Sequence, residues 1–354
     1  MLRSRLSISV MLLAMLGGTA SAQTVTSTGD VTQLTISNHI SSLNVLDFDN
    51  ATAFPMPTLP SLPPASHTFG SGPNNPWEKP YNTKRVATIT NGVPATRKPY
   101  AAAGKLYFNV GSGTATCSGS LVRPGVVITA AHCVSEFGQQ RFFQDFVFVP
   151  GKHFGQEFYG RWTAEDVVIR TSYFDGTDNC YVTGIVCEND VALIRLAPQT
   201  NFNGVLIFPG DSARAGRFGV AANDNGFNGF KQAAIAQLGY PASHDNGNSM
   251  QESTSQSDQV SAFVDNNIIG SRQTGGSSGG PWLVNQGFKA NLAGSGLPLD
   301  TINPRNLVVG VTSWGFNSGD VQIQGASRFT TANTTSLLNF LGCVPGSQER
   351  HCSE

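Results

Sequence analysis

Charge is scarce in this chain. Of its 354 residues, 22 are Lys or Arg and 23 are Asp or Glu, 13% in all, for a net charge of -1. No basic stripe is present to meet a phosphate backbone and there is no acidic tail, which argues against nucleic acid as a partner. Nucleotide signals are missing too: there is no P-loop and no GxGxxG opening a helix. No CxxC spacing marks a zinc site, and no internal repeat points to a solenoid. After the N-terminus, no apolar run reaches the roughly 18 residues of a membrane helix. Neither a cofactor, a metal nor a stable membrane association is therefore expected.

What the sequence has in abundance is glycine, 39 residues, with 19 prolines. Between them lie short runs rich in Val, Ile, Thr and Phe, the composition of a loop-rich all-β protein. The first 22 residues read MLRSRLSISVMLLAMLGGTASA. Two arginines, an apolar stretch and a small-residue end describe a secretory signal cleaved after Ala22, and hence a secreted protein, extracellular or periplasmic.

Export makes the six cysteines interpretable, because disulfides persist outside the reducing cytosol. Spacing groups Cys117 with Cys133, Cys180 with Cys187 and Cys343 with Cys352, although six cysteines allow fifteen connectivities. Residues 55–80 hold eight of the 19 prolines, so no regular element runs through them. Residues 23–97 are therefore expected to be a propeptide or a proline-rich linker. Lys84-Arg85 is either a processing site within it or an ordinary exposed basic pair.

From about residue 100, strand-like runs alternate with turn signals: KLYFNV, ATCSGSLV, GVVITAAHC, FVFVPG, DVVIRT and VALIRL, then AAIAQLGYP, VSAFVDNNIIG, GPWLVNQ, NLVVGVTSWGF and ASRFTT. Two such series predict two barrels or sandwiches. SLLNFLG near the end reads as a short closing helix capped by Gly342.

Three patterns carry candidate chemistry. His132 stands at the end of the strand GVVITAA beside Cys133; alone it reads as readily as a structural histidine. Asp190 opens the strand VALIRL, and alone it reads as a turn residue capping that strand. Ser278 lies in TGGSSGGPW, where a glycine two positions earlier lets backbone N–H groups converge on a developing oxyanion, those of Gly276 and Ser278. By composition alone this is also a flexible Gly/Ser loop. GSSGG fits the GxSxG elbow of α/β-hydrolases as well, but that fold needs an acid and then a His after the serine. Only His351 follows Ser278, at the chain end, and Pro281 sits where the elbow helix would begin.

The order His132, Asp190, Ser278, with TAAHC, NDVALIRL, GSSGGP and VTSWGF, resembles the trypsin-like, chymotrypsin-fold serine peptidases. PYAAAGKLYF, CSGSLV and AQLGYPA lean toward the bacterial glutamyl-endopeptidase-like branch. The resemblance implies two antiparallel six-stranded β-barrels of the chymotrypsin type with a short C-terminal helix. It places the peptidase domain at 98–342, with barrels at about 98–200 and 201–342, and leaves 343–354 as a disulfide-bearing tail. It implies that Ser278 is the nucleophile of an endopeptidase acting on protein or peptide substrates, His132 its base and Asp190 the orienting acid. Ser313 would then bond near the acid, and Trp314 and Gly315 would pair with substrate.

Two positions depart from the pattern. Pancreatic-type members carry an Asp just before the nucleophile, paired with the new N-terminal amine on zymogen activation; here it is Ser277, so that ion pair cannot form. Six residues before the nucleophile stands Arg272, which would repel basic side chains from a specificity pocket and could favour acidic ones. Thr312 replaces the His that glutamyl endopeptidases use there. The rival classes are a non-catalytic binding protein on the same fold and a lipase or esterase.

Overall fold

The computed structural model describes residues 10–11, 22–59, 79–86, 97–182, 185–211, 214–260, 264–287, 305–316, 322–343 and 352. Most of the expected signal segment, the proline-rich stretch 60–78 and His351 lie outside the described residues.

Strands of the main body are numbered from Ala103. The first barrel uses β1 (Ala103–Val110), β2 (Gly113–Arg123), β3 (Val126–Thr129), β4 (Gln144–Pro150), β5 (Trp162–Arg170) and β6 (Ala192–Leu196). Their pairing runs β5-β4-β1-β2-β3-β6, and β5 pairs again with β6, closing the ring. All four residues of β3 are buried, as a strand covered on both faces requires. Phe108, Phe146, Phe148 and Trp162 fill the interior, each contributing about 1.5–3 kcal/mol by leaving water.

The second barrel uses β7 (Ala234–Gly239), β8 (Gln251–Gln256), β9 (Asp258–Val260), β10 (Asn266–Gly270), β11 (Pro281–Val284), β12 (Leu307–Phe316) and β13 (Ile323–Ser327). The hydrogen-bonded order is β9-β10-β13-β12-β11-β7-β8. Because β8 continues through Ser257 into β9, one bent segment supplies both ends of this open sheet and curls it into a half-barrel. A short helix, Ser336–Phe340, follows, and Gly342 turns the chain out of it at φ +83°, a conformation suited to glycine. The fold is the all-β one expected, two chymotrypsin-type units with a terminal helix.

Five strands of residues 22–85 join these sheets. Ala22–Thr28 and Val31–Ser37 form a hairpin whose second strand pairs antiparallel with β5. Thr52–Ala53 runs parallel to β2, Thr58–Leu59 parallel to β12, and Tyr81–Arg85 antiparallel to β8. Lys84 and Arg85 are consequently strand residues, ion-paired to Glu252 and Asp245. Among the described residues, no helix is long and apolar enough to cross a membrane.

The disulfides join Cys117 to Cys133, Cys180 to Cys187 and Cys343 to Cys352. His132 lies with Cys117 and Cys133 in a cluster of possible metal donors, but both sulfurs are consumed by their disulfide and offer no thiolate.

Candidate active site

His132 sits in a single helical turn, Ala131–Cys133, directly after β3. The disulfide from Cys133 to Cys117 on β2 ties this turn to the barrel wall. The backbone N–H of His132 donates to Asp190 Oδ1 at 2.8 Å, and Nδ1 lies 2.7 Å from Asp190 Oδ2. One carboxylate thus fixes both the backbone and the ring of the same histidine.

Asp190 is 1% exposed and precedes β6. Ser313 Oγ on β12 also donates to Asp190 Oδ2, while Ser327 Oγ accepts the Asp190 N–H at 3.2 Å. Burial pushes the carboxyl upward, but the charge of the His132 ring and the donors from His132 and Ser313 outweigh it and hold the group below its ordinary value. An ionised carboxylate in this dry position needs those partners.

Ser278 is held by its neighbours' backbone. Its carbonyl accepts from Ser118 N at 2.7 Å, and Gly279 N donates to Thr312 O at 2.8 Å. Gly279, at φ +77°, leaves no room for a side chain: a Cβ there would stand 2.0 Å from Thr129 Oγ1. The serine turn therefore packs on the end of the strand that leads to His132. Ser278 Oγ and His132 Nε2 are both buried, and neither has a hydrogen-bond partner among the described residues. Both are among the buried polar atoms that the described residues leave without a partner.

Gly276 adopts φ +89°, where a Cβ would fall 2.6 Å from Tyr240 O. Its N–H donates to the carbonyl of Phe54 at 3.1 Å. Its own carbonyl accepts from Ser118 Oγ at 2.8 Å, which in turn accepts Tyr240 N at 3.0 Å. Ser118 was missed by motif reading, although it lies within the quoted CSGSLV. Ser277 Oγ donates to Thr274 O at 2.7 Å, stabilising the turn.

Gly315 N donates to Pro57 O at 3.0 Å, so this edge of β12 already holds an added strand. Trp314 is buried, with its indole N–H on Asn266 Oδ1. Arg272 is exposed, and its charge adds to burial in lowering His244; it puts no enclosed cation in the cleft. Beside Gly315 lies instead an uncharged group with no sequence signal, the side-chain amide of Gln324. Its oxygen accepts from Gln237 Nε2, which also donates to Thr312 Oγ1 at 2.7 Å.

A family model described as trypsin matches residues 89–335. A thermostable serine protease from an extremophilic microorganism superposes with a TM-score of 0.52 at 21% identity, over 68% of this chain and 96% of that one. The protease Anisep from Arthrobacter nicotinovorans gives 0.52 at 23% identity, over 70% and 99%. A Glu endopeptidase solved with MPD gives 0.51 at 17% identity, over 74% and 97%. Identities this low speak to the fold alone, and a search of curated proteins finds no match. The family match spans most of the chain and includes His132, Asp190 and Ser278: the protein belongs to the trypsin family of serine proteases.

Proposed function

We propose that this chain is a secreted serine endopeptidase in which Ser278, His132 and Asp190 form the catalytic triad. The observation that carries the reading is the double attachment of His132 to Asp190, through N at 2.8 Å and Nδ1 at 2.7 Å. With Nδ1–H committed to the carboxylate, the ring's free lone pair belongs to Nε2, the atom that accepts the serine proton.

In this mechanism Ser278 Oγ attacks the scissile carbonyl carbon while His132 Nε2 takes its proton. Asp190, kept ionised, stabilises the imidazolium that forms. The carbonyl oxygen becomes an oxyanion that accepts from the N–H groups of Gly276 and Ser278, donors fixed before the reaction and therefore costing little reorganisation. His132 then protonates the leaving amine, the acyl-enzyme forms on Ser278, and water deacylates it by the same proton path in reverse.

The direction of the Gly276 N–H into the cleft, with Ser277 bonded to Thr274, supports an oxyanion site built without an N-terminal ion pair. The uncharged surroundings of Gln324 and the exposed position of Arg272 favour a neutral side chain in the pocket over an acidic one. Casein hydrolysis by purified Ser278→Ala tests the nucleophile: the reading expects hydrolysis to be abolished with the melting temperature unchanged, and cleavage as fast as wild type would refute it. A chain that folds and never reacts would instead be a binding protein.

A further inference from the structure

The cleft between the two barrels is filled by the chain's own residues 51–59. Phe54 N donates to Thr116 O at 2.8 Å, Phe54 O accepts from Gly276 N at 3.1 Å, and Pro57 O accepts from Gly315 N at 3.0 Å. The Phe54 ring stacks over His132 at 6.3 Å between centroids, tilted by 20°. Met56 Sδ lies 3.5 Å from Gln324 Nε2, and Leu59 is fully buried beside Trp314. Under this cover Ser278 is 0% and His132 6% exposed.

Direction decides what such a segment does there. Edge pairing alone tolerates either strand direction, because main-chain groups supply most of its bonds. Cleavage does not, because His132 must protonate the amine that leaves. The Phe54 carbonyl occupies the Gly276 donor, so the bond at risk is Phe54–Pro55. Its nitrogen side leads toward Gly315 and β12, in parallel register with Gly315 and Phe316. The side facing His132 is occupied by the Phe54 ring and by Thr52–Ala53, parallel to β2. The leaving nitrogen would therefore depart away from the proton donor, and it is a proline nitrogen in a tertiary amide.

Resting on the peptidase reading above, we propose that residues 51–59 are an internal inhibitor, bound across the cleft with the chain direction opposite to that of a cleavable peptide. While they stay in place in the uncut protein, they hinder access of substrate to Ser278. The device does the work that Ser277 cannot: with no activating acid before the nucleophile and the oxyanion turn already formed, occupancy of the cleft controls activity. A tethered segment competes at an effective concentration in the millimolar range. If its own dissociation constant is on the order of 0.1 mM, the tether suppresses access to Ser278 about tenfold.

The test uses the uncut full-length protein and a fluorophosphonate probe. Phe54→Gly/Met56→Gly should label at Ser278 about tenfold faster than wild type. A synthetic peptide TAFPMPTL at millimolar concentration should slow it again and be recovered intact by mass spectrometry. Met56→Gly alone supports the same comparison if the double variant does not fold. Equal labelling of wild type and variant, or cleavage of the peptide, overturns the inhibitor and leaves the peptidase reading standing. Folded wild type, folded variant and trimmed protein that all fail to label at Ser278 overturn the peptidase reading itself.

Discussion

Asp190 grips His132 at two points, the ring Nδ1 and the backbone N–H, 2.7 and 2.8 Å away. Asp190→Asn would preserve the shape but let the amide donate to Nδ1, placing the proton on Nε2, where it blocks the base. The expected outcome is a fall in kcat on the order of 10⁴ with KM nearly unchanged, measured with a chromogenic peptide. The depressed carboxyl also sets a stability window. A group lowered in the fold stabilises fully above its unfolded value, near 3.9, and that contribution is lost as pH falls through the folded value. Asp190→Asn should therefore flatten the acid limb of the melting curve.

Ser118 supports the Gly276 turn, the proposed oxyanion donor, from behind, donating to Gly276 O at 2.8 Å and accepting Tyr240 N at 3.0 Å. Ser118→Ala leaves two buried backbone groups unpaired, at about 1–3 kcal/mol for each. Activity should drop mainly in kcat, because the loss loosens a donor aimed at the transition state. Equal effects on the melting temperature but none on kcat would reduce Ser118 to a structural residue.

Removing the link between Cys117 and Cys133, 16 residues apart, as the double alanine variant should cost about 3 kcal/mol in urea unfolding. It should also lower kcat, because the disulfide anchors the turn carrying His132.

Lys105 on β1 is buried with its ammonium on Gly247 O at 2.9 Å. Burial, followed by the charge of Lys152, lowers it to about 8. Its unfolded value is near 10.4, so the unfolded chain binds the extra proton between those limits and stability rises with pH across them. Below about pH 8 that gain is gone. Measured in a Ser278→Ala background to prevent autolysis, wild-type Lys105 should gain about 2–3 kcal/mol relative to Lys105→Met between pH 8 and 10.5.

The candidate site was legible in sequence where chemistry restricts residue type. TAAHC, NDVALIRL and GSSGGP mark places that need a pinned imidazole, a buried carboxylate and side-chain-free backbone, and the structure brings those three places together. Fold was legible where strands are apolar and opaque where they are not. β8 reads QESTSQ, yet Gln251, Glu252 and Ser253 are buried; Glu252 accepts from Tyr100 Oη and pairs with Lys84, partners distant in sequence. Asn333 is likewise buried, accepting from Thr330 N and donating to Arg328 O as part of a helix-capping box.

The least legible segment was 51–59. Its prolines argue against a regular strand, and indeed Pro55 and Pro57 offer no N–H. Besides the short pairings of Thr52–Ala53 and Thr58–Leu59, the segment is held by the Phe54 N–H and the carbonyls of Phe54 and Pro57. Those acceptors carry no side-chain signature. Their partners, Gly276 and Gly315, come into reach only once the second barrel has formed.

The most direct measurement of the central claim is the site of covalent reaction. The wild-type protein, uncut and after trimming, is treated with a fluorophosphonate and the modified residue is identified by peptide mass spectrometry. The account predicts a single adduct on Ser278, absent in Ser278→Ala and strongly slowed in His132→Ala, with both variants folded. An adduct on another serine, Ser277 included, or no adduct on any folded form, would contradict it.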